Sequence, residues 1–322
     1  MPSPRTAVRA RPAHVAAAID VGAHSVHLLV AEVHGHRLVP LTDESATLGL
    51  GATVDARGEL GADAALRLLE TLEAYVATSL RLGAATVGVV ATDPLRRAAD
   101  SEVVIAAVTR RLGIDIQVLR SDEEALLALL GVQAGKAVLR ETLLVDIGGG
   151  SSEILLVGPS SDPVTVGLAL GAARLSRTHI SNDPPTSEQV AAVLGEARSV
   201  VAGAPDGAPT DLVAVGGTAS NLLRVGPPLA RRVLTTRRIR ETLDLLQAAT
   251  AEEISTTYGV KLSRSRVLPG GAAILLAVAE RYGRDQVRVS SDGIREGLIL
   301  ASVHAGSGWR AGLAWLAHGW SR

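Results

Sequence analysis

The chain has 322 residues, enough for two domains or one large one. Hydrophobic residues make up 47% and charged residues 20%, so a sizeable core is available and general disorder is excluded. Lys+Arg is 32 and Asp+Glu is 33, a balance that argues against a globally basic nucleic-acid binder but not against a local basic patch; no DNA partner is expected. Cysteine is absent, which removes disulfides, zinc–thiolate sites and thiol nucleophiles. Aromatics are 2% with no Phe, a poor basis for a base-stacking platform. The core must be built from Ala, Leu and Val. The apolar runs at Leu126–Leu130 and Ala272–Ala279 fall short of the roughly 20 residues that span a bilayer. Met1–His14 is basic and contains Pro but has no apolar centre, so it reads as a flexible arm and not as a secretory signal. A cytoplasmic protein that avoids membranes is expected.

In chain order, Ala16–Gly22 is an apolar run ending in Asp20 and Gly22, the pattern of a buried strand meeting a turn. Val26–Val33 is a second strand, His34-Gly35-His36 a hairpin turn and Arg37–Thr42 a third strand. Asp63–Leu82 carries Ala65, Leu68, Leu69, Leu72 and Val76 at helical spacing. Thr86–Ala91 is a strand. Asp93-Pro94 opens a helix with a good N-cap and a proline at the first helical position. A helix over Val103–Leu112, a strand over Asp115–Leu119 and a helix from Ser121 to Leu130 follow. Alternating strands and helices argue for an α/β domain.

Near Gly135-Lys136 the pattern restarts. Thr142–Val157 is strand, Gly-rich turn, strand, and it repeats the plan of Ile19–Val33. Val164–Leu168 is the third strand of this repeat. Asp183-Pro184-Pro185-Thr186 breaks the chain before a helix over Ser187–Ala202, and Ala204–Thr210 is a loop. Leu212–Ala219 is a strand entering a Gly turn and a helix. Ile239–Ala249, Ala251–Tyr258 and Gly270–Tyr282 read as helices, Gln286–Ser290 as a strand and Gly293–Val303 as a closing helix. The expected organisation is an arm over residues 1–14, an N-terminal α/β lobe over 15–135, a C-terminal α/β lobe over 136–303 and a tail over 304–322. The closing helix has the option of packing back on the first lobe.

Four turns follow apolar strands: Asp20–Ser25, Thr92–Arg97, Asp146–Ser152 and Val215–Ala219. Glycine lets a backbone approach a ligand closely and aim several N–H groups into one space. Matched Asp-x-Gly turns point to two lobes facing across a cleft that grips a phosphate-bearing ligand. Aspartates at such strand ends commonly hold a divalent cation or position a water. Tight turns alone would also account for single glycines, but Gly148-Gly149-Gly150-Ser151 costs folding entropy with no packing return in view.

These segments resemble the exopolyphosphatase / guanosine pentaphosphate phosphatase (Ppx/GppA) family. The likeness runs through VAAAIDVGAHSVHLLVAEV (15–33), VATDPLRRA (90–98), VLRSDEEALLALLGV (118–132), LLVDIGGGSSEI (143–154), AVGGTA (214–219) and SDGIREGLIL (291–300), in family order, and is to the short two-domain members. It implies a duplicated ribonuclease-H-like fold, shared with actin, sugar kinases and Hsp70 chaperones. It also implies phosphoanhydride hydrolysis by water with Mg2+ or Mn2+, and allows a homodimer. Residue by residue, Glu124 matches the catalytic glutamate. Asp146, Glu153 and Asp20 match residues that hold the metal or position water. Gly22, His24, Ser25, Arg96, Gly148, Gly149, Gly150, Ser151, Gly216, Gly217 and Thr218 match phosphate-binding positions. Glu124 has a structural alternative, because Ser121-x-x-Glu124 spells a capping box. Arg97 reads as a solvated helix charge, and Arg174 either lines a polyanion path or is a surface charge.

The sequence departs from the family pattern in places. The first turn usually reads Asp-x-Gly-Ser-Asn-Ser; here it is Asp20-Val21-Gly22-Ala23-His24-Ser25. Ala23 loses a hydroxyl, and His24 donates to phosphate more strongly when protonated. Asp93 would repel phosphate unless it only caps its helix, and Arg266 stands where many relatives have Asp. Four functions are open: an exopolyphosphatase acting on inorganic polyphosphate, a phosphatase acting on guanosine penta- or tetraphosphate, a weakly catalytic polyphosphate or alarmone sensor, and a kinase on the same fold. The lack of aromatics favours polyphosphate. The cleft is expected to be locally electropositive.

Overall fold

The computed structural model describes residues 14–319, so the N-terminal arm expected over 1–14 lies almost entirely outside the described residues. The first half runs β1 (His14–Val21), β2 (Ser25–His34), β3 (Arg37–Thr47), α1 (Leu50–Arg57), α2 (Gly61–Arg81), β4 (Thr86–Ala91), α3 (Asp93–Arg97), α4 (Ser101–Leu112), β5 (Ile116–Val118) and α5 (Ser121–Gln133). The second half runs β6 (Thr142–Ile147), β7 (Ser152–Val157), β8 (Val164–Leu168), α6 (Ala172–His179), α7 (Ser187–Val201), β9 (Asp211–Val215), α8 (Gly216–Leu222) and β10 (Val233–Thr235). It continues through α9 (Thr236–Ala248), α10 (Ala251–Tyr258), α11 (Leu262–Ser265), α12 (Leu268–Arg281), β11 (Gln286–Val289), α13 (Ile294–Ala305) and α14 (Leu313–Ala317).

The first sheet has the order β3-β2-β1-β4-β5 and the second β10-β11-β9-β6-β7-β8. In each, an antiparallel meander of three strands is extended by parallel strands. This is the duplicated α/β plan expected from the repeat. The apolar runs of β1 and β6 are almost wholly buried because helices cover both faces of each sheet. One core lies between the first sheet and α1–α4, and another between the second sheet and helices that include α7, α9 and α12. The third core lies between the sheets and is built on α5 and α13.

That middle layer exchanges helices. α5 packs on β6, β7 and β8 of the second sheet, whereas α13 packs on β1, β2 and β4 of the first. The closing helix therefore belongs by packing to the first sheet, although its sequence places it in the second half. α5 and α13 cross at bare backbone: a Cβ on Gly131 would stand on the Gly293 carbonyl oxygen, and one on Gly297 on that of Leu127.

Residues 304–319 are not the tail read from the sequence. α13 runs on to Ala305, and after it Trp309, Leu313, Leu316 and Ala317 are buried in the middle core. Arg310 reaches back to Glu123 at 2.6 Å. β3 extends to Thr47, five residues beyond the expected end, because it pairs along all of β2. Among the described residues no helix is long and apolar enough to cross a membrane.

Candidate active site

The duplication holds down to single hydrogen bonds. The Gly22 amide donates to the Ser25 carbonyl at 3.1 Å, and the Gly148 amide donates to the Ser151 carbonyl at 2.9 Å. Each turn is tied to the helix that follows its meander. Gly49 N donates to His24 O at 3.0 Å and Gly51 N to Ala23 O at 2.8 Å; Ala172 N donates to Gly148 O at 2.9 Å and Ala173 N to Gly149 O at 3.0 Å. The turns are thus rigid supports, and the amides of Gly149 and Gly150 donate to nothing among the described residues. Such free, aimed N–H groups make an anion-binding concavity.

Both turns, with the start of α8, border one cavity of about 430 Å³. It gathers Glu124, Asp146, Glu153 and Asp20, and also the predicted Gly22, His24, Ser25, Gly148, Gly149, Gly150, Ser151, Gly216 and Gly217. Gly216 has φ 82, and a Cβ there would lie 2.6 Å from Asp146 Oδ1, so only glycine lets the backbone pass this carboxylate. Thr218 is not at the cavity wall. Its hydroxyl donates to the Ile147 carbonyl at 2.8 Å, as the Thr92 hydroxyl donates to Val21 at 3.4 Å in the first half. This threonine ties strand to helix.

Glu124 is not the capping residue. The cap is made one position earlier, where Glu123 Oε2 accepts from the Arg120 amide at 2.8 Å. That leaves Glu124, buried at the first turn of α5, to accept from Arg96 Nη1 at 2.5 Å. Arg96 Nη1 also donates to the Leu119 carbonyl at 2.8 Å, and Nη2 lies 4.0 Å from Glu153 Oε1. Arg96 therefore bridges two carboxylates and does not itself border the cavity.

Burial dominates the acid chemistry. Glu124 is raised well above the usual carboxyl range by burial and then by the Glu153 charge, against the pull of Arg96. Glu153 is raised to about 8 by burial and Asp146. Asp146 rises to about 6 by burial, and Asp20 to about 7 by burial and Asp146. Oxygens Asp20 Oδ1 and Glu153 Oε1 are buried with no hydrogen-bond partner. His24 differs from expectation. Burial, with Arg264 and Lys261 nearby, lowers it to about 4, so its ring is neutral near pH 7. Its Nε2 lies 3.2 Å from Ser263 Oγ across the cleft.

The charge map also corrects two readings. Seven carboxylates and four guanidiniums border the cavity, so it is not electropositive overall. The signs are mixed: Arg224, Arg232 and Arg264 come from the second half, whereas Arg295 on α13 pairs with Asp43 of β3. Arg97 is not a solvated charge: it clamps Asp93 through two 2.8 Å bonds and reaches Asp55 at 2.9 Å. Asp93 makes no side-chain cap to its helix. Arg174 joins the same cluster, 3.5 Å from Asp55 and 3.8 Å from Asp93, and Arg177 also pairs with Asp55. Arg174 and Arg177 come from α6 and Asp55 from α1, so the cluster spans the lobes at the cleft rim.

Several cavity groups escaped the sequence reading, Arg264, Arg295 and His27 among them. Arg264 on α11 lies beneath Gly217, with Nη2 3.5 Å from Ser25 Oγ, and burial alone depresses its pKa. Arg295 on α13 holds Asp43 at 2.5 Å. His27, directly opposite Asp20 in the β1–β2 register, is lowered to about 4 by burial and then by Arg295. The basic segment Lys261–Arg266 was the one local signal for Arg264.

A twofold repeat of strand-end aspartates and amide-lined turns across a carboxylate-rich cavity defines a two-lobed α/β protein with a shared cleft. Comparison gives the family: the chain belongs to the Ppx/GppA phosphatase family, whose sequence profile matches residues 29–305. Exopolyphosphatase 1 of Mycobacterium tuberculosis is 31% identical over 303 residues, covering 88% of this chain and 87% of the relative. Exopolyphosphatase 1 of Mycobacterium leprae is 31% identical over 309 residues, covering 88% of each. Among solved structures, the Aquifex aeolicus Ppx/GppA family member gives a TM-score of 0.79 at 27% identity, covering 91% of this chain and 98% of that one. An exopolyphosphatase from Cytophaga hutchinsonii gives 0.80 at 22% identity over 90% and 97%, a likeness of fold.

Proposed function

We propose that this protein hydrolyses the terminal phosphoanhydride of inorganic polyphosphate, with Glu124 as the general base. The observation that carries the reading is the placement of Glu124. It is freed from capping by Glu123, buried, and aimed into a cavity that also holds Asp146, Glu153 and unclaimed backbone amides.

The terminal phosphate rests against the unclaimed amides of Gly149 and Gly150 and the Gly216–Gly217 turn on one side and the Gly22–Ser25 turn on the other. Arg264 supplies a cation between the lobes. A water beside Glu124 gives its proton to that carboxylate as its oxygen forms a bond to the terminal phosphorus. The P–O bond to the chain breaks, releasing phosphate and a chain one residue shorter. Burial makes Glu124 a stronger base than a free carboxylate, while the Arg96 guanidinium opposes that rise and orients the side chain. Arg96 is thereby a positioning residue.

A divalent cation fits the donor set. Asp20 Oδ1 and Glu153 Oε1 are orphaned oxygens, and with Asp146 they offer hard ligands. Among the described residues no three such groups form a ready cage. This matches Mg2+, which takes one or two carboxylates and completes its shell with waters and phosphate oxygens. When bound, it supplies charge neutralisation for the phosphate oxygens.

The cavity wall carries no Phe, Tyr or Trp for stacking a guanine base, which favours polyphosphate over guanosine pentaphosphate. The test is phosphate release with Mg2+ from long-chain polyphosphate and from guanosine pentaphosphate. Turnover of the first with kcat/KM at least tenfold above the second is expected. The reverse order assigns the protein to the nucleotide, and no turnover of either refutes hydrolysis.

A further inference from the structure

The internal repeat makes equivalent residues of the two halves meet. The Gly51 amide of α1 donates to the Ala23 carbonyl at 2.8 Å, and the Ala173 amide of α6 donates to the Gly149 carbonyl at 3.0 Å. Ala23 and Gly149 hold the same place in their turns, so Gly51 and Ala173 hold the same place in their helices. α1 and α6 each span eight residues. About one helical turn further along lie Asp55 and Arg177, again equivalent. These two side chains form an ion pair with each other. The glycine turns touch as well: a Cβ on Gly149 would stand 3.6 Å from the Ala23 Cβ. Equivalent residues in mutual contact mark a pseudo-twofold axis, as at the interface of a symmetric dimer.

At such an axis a faithful repeat sets like against like. Two aspartates or two arginines would repel, and here the copies have diverged to opposite charges. The pair is also reinforced. Arg174, on the same face of α6, lies 3.5 Å from Asp55 and 3.8 Å from Asp93. Arg97 joins Asp55 at 2.9 Å to Asp93 at 2.8 Å. Asp93 is buried, with its carboxylate pressed on Gly150 of the second turn. A partly buried network of charges holds better than a lone surface pair. On the other side of the cavity the lobes meet through hydroxyl groups. Lys261 Nζ donates to Ser45 Oγ at 3.2 Å, His24 Nε2 lies 3.2 Å from Ser263 Oγ, and Arg264 Nη2 lies 3.5 Å from Ser25 Oγ. None of those three contacts joins opposite charges.

We propose that Asp55 and Arg177, backed by Arg174, Arg97 and Asp93, form an ionic clasp at the pseudo-twofold axis that sets the spacing of the two glycine turns. The clasp holds the lobes together at low ionic strength. It slackens when salt screens it, since the Debye length falls from about 30 Å at 0.01 M to about 3 Å at 1 M. The device does not depend on which reaction the cleft performs.

The test measures the spacing of the lobes in the full chain without substrate, so its outcome leaves the hydrolytic reading untouched. The chain has no cysteine. Spin labels therefore attach only at Val103→Cys on α4 and Arg237→Cys on α9, one exposed site per lobe. Pulsed electron–electron double resonance is recorded at about 0.01 M and about 1 M NaCl. The labelled parent is expected to give one narrow distance distribution at low salt that about doubles in width at high salt. Asp55→Asn and Arg177→Gln give the broad distribution at both salts. Arg177→Glu sets like charges against each other and gives the largest lengthening. Arg177→Lys keeps the narrow distribution and its salt response, which ties the effect to charge and not to packing. Lys261→Gln, across the cavity, behaves as the parent. Arg177 is the more exposed partner, so its variants decide the matter should Asp55→Asn fail to fold, with far-UV circular dichroism as the check on folding. A parent distribution that ignores salt, or Arg177→Gln protein that keeps both the narrow width and the salt response, overturns the clasp. Equal broadening by Lys261→Gln overturns it in favour of a tie at α11.

Discussion

The two Asp-x-Gly turns share a backbone and differ in what faces the aspartate. In the β1–β2 pair, Asp20 stands opposite His27; in the β6–β7 pair, Asp146 stands opposite Glu153. The amide that closes each turn and the threonine that ties each neighbouring strand are conserved between the halves. The first half thus presents a neutral imidazole where the second presents a carboxylate. Duplication supplies two matching turns, and the facing residues, His27 and Glu153, make the cleft one-sided. Glu124 adds to the asymmetry, since α5 comes from the first half but packs on the second sheet.

The comparison can be broken most severely at the base. Glu124→Gln is expected to lower kcat by about 10³-fold while KM stays within about threefold, because only proton acceptance is lost. Steady-state phosphate release reads both constants, and a variant with full activity would falsify the base assignment. Next comes Glu153→His, which gives the second turn the facing residue of the first. A loss of about 10²-fold in kcat is expected; near-normal turnover would mean that the asymmetry between the halves carries no chemistry.

A smaller effect is expected at Gly216→Ala. The added Cβ meets Asp146 Oδ1 at a backbone conformation that disfavours side chains, so stability should fall by about 1–3 kcal/mol, read as a drop in Tm. Activity should fall about tenfold through the displaced carboxylate. An unchanged Tm would show that the turn has room to relax.

The mildest test sharpens the first turn. His24 is neutral in the fold down to about pH 4, whereas an unfolded histidine takes up its proton near 6.5. Between those values the unfolded chain binds more protons, so stability falls as pH drops from about 6.5 to 4. His24→Asn removes that contribution. Denaturation curves should show the variant gaining about 1–2 kcal/mol relative to the parent across this window, discounted for the partial exposure of the ring. A pH-independent difference would contradict the burial of the imidazole.

Much of this site was legible as local grammar. An apolar strand, an aspartate, a glycine turn and a second apolar strand repeat within one chain, and both copies fold as that order implies. Glu124 was ambiguous because the capping rule tolerates a shift of one residue, and the helix uses Glu123. Arg264 and Arg295 were not legible. Each is an ordinary basic residue in its own segment and becomes a cleft group only when α11 and α13 meet residues more than 200 positions earlier. α1 was missed for a different reason. Leu50–Arg57 contains Gly51, Thr53 and Val54, all poor helix formers, and the helix is held by the buried Leu50 and Val54. α14 spans five residues, too few to persist alone, and exists because Leu313 and Leu316 find the middle core.

The crossing of α5 and α13 carries one more consequence. Each half of the chain lends the other the helix that covers its inner face, and the loan is sealed where glycine meets backbone with no side chain between. Severed at residue 135, neither fragment would own a complete hydrophobic interior. The ancestral repeat has become a single inseparable unit, although its two copies still read as equals along the sequence.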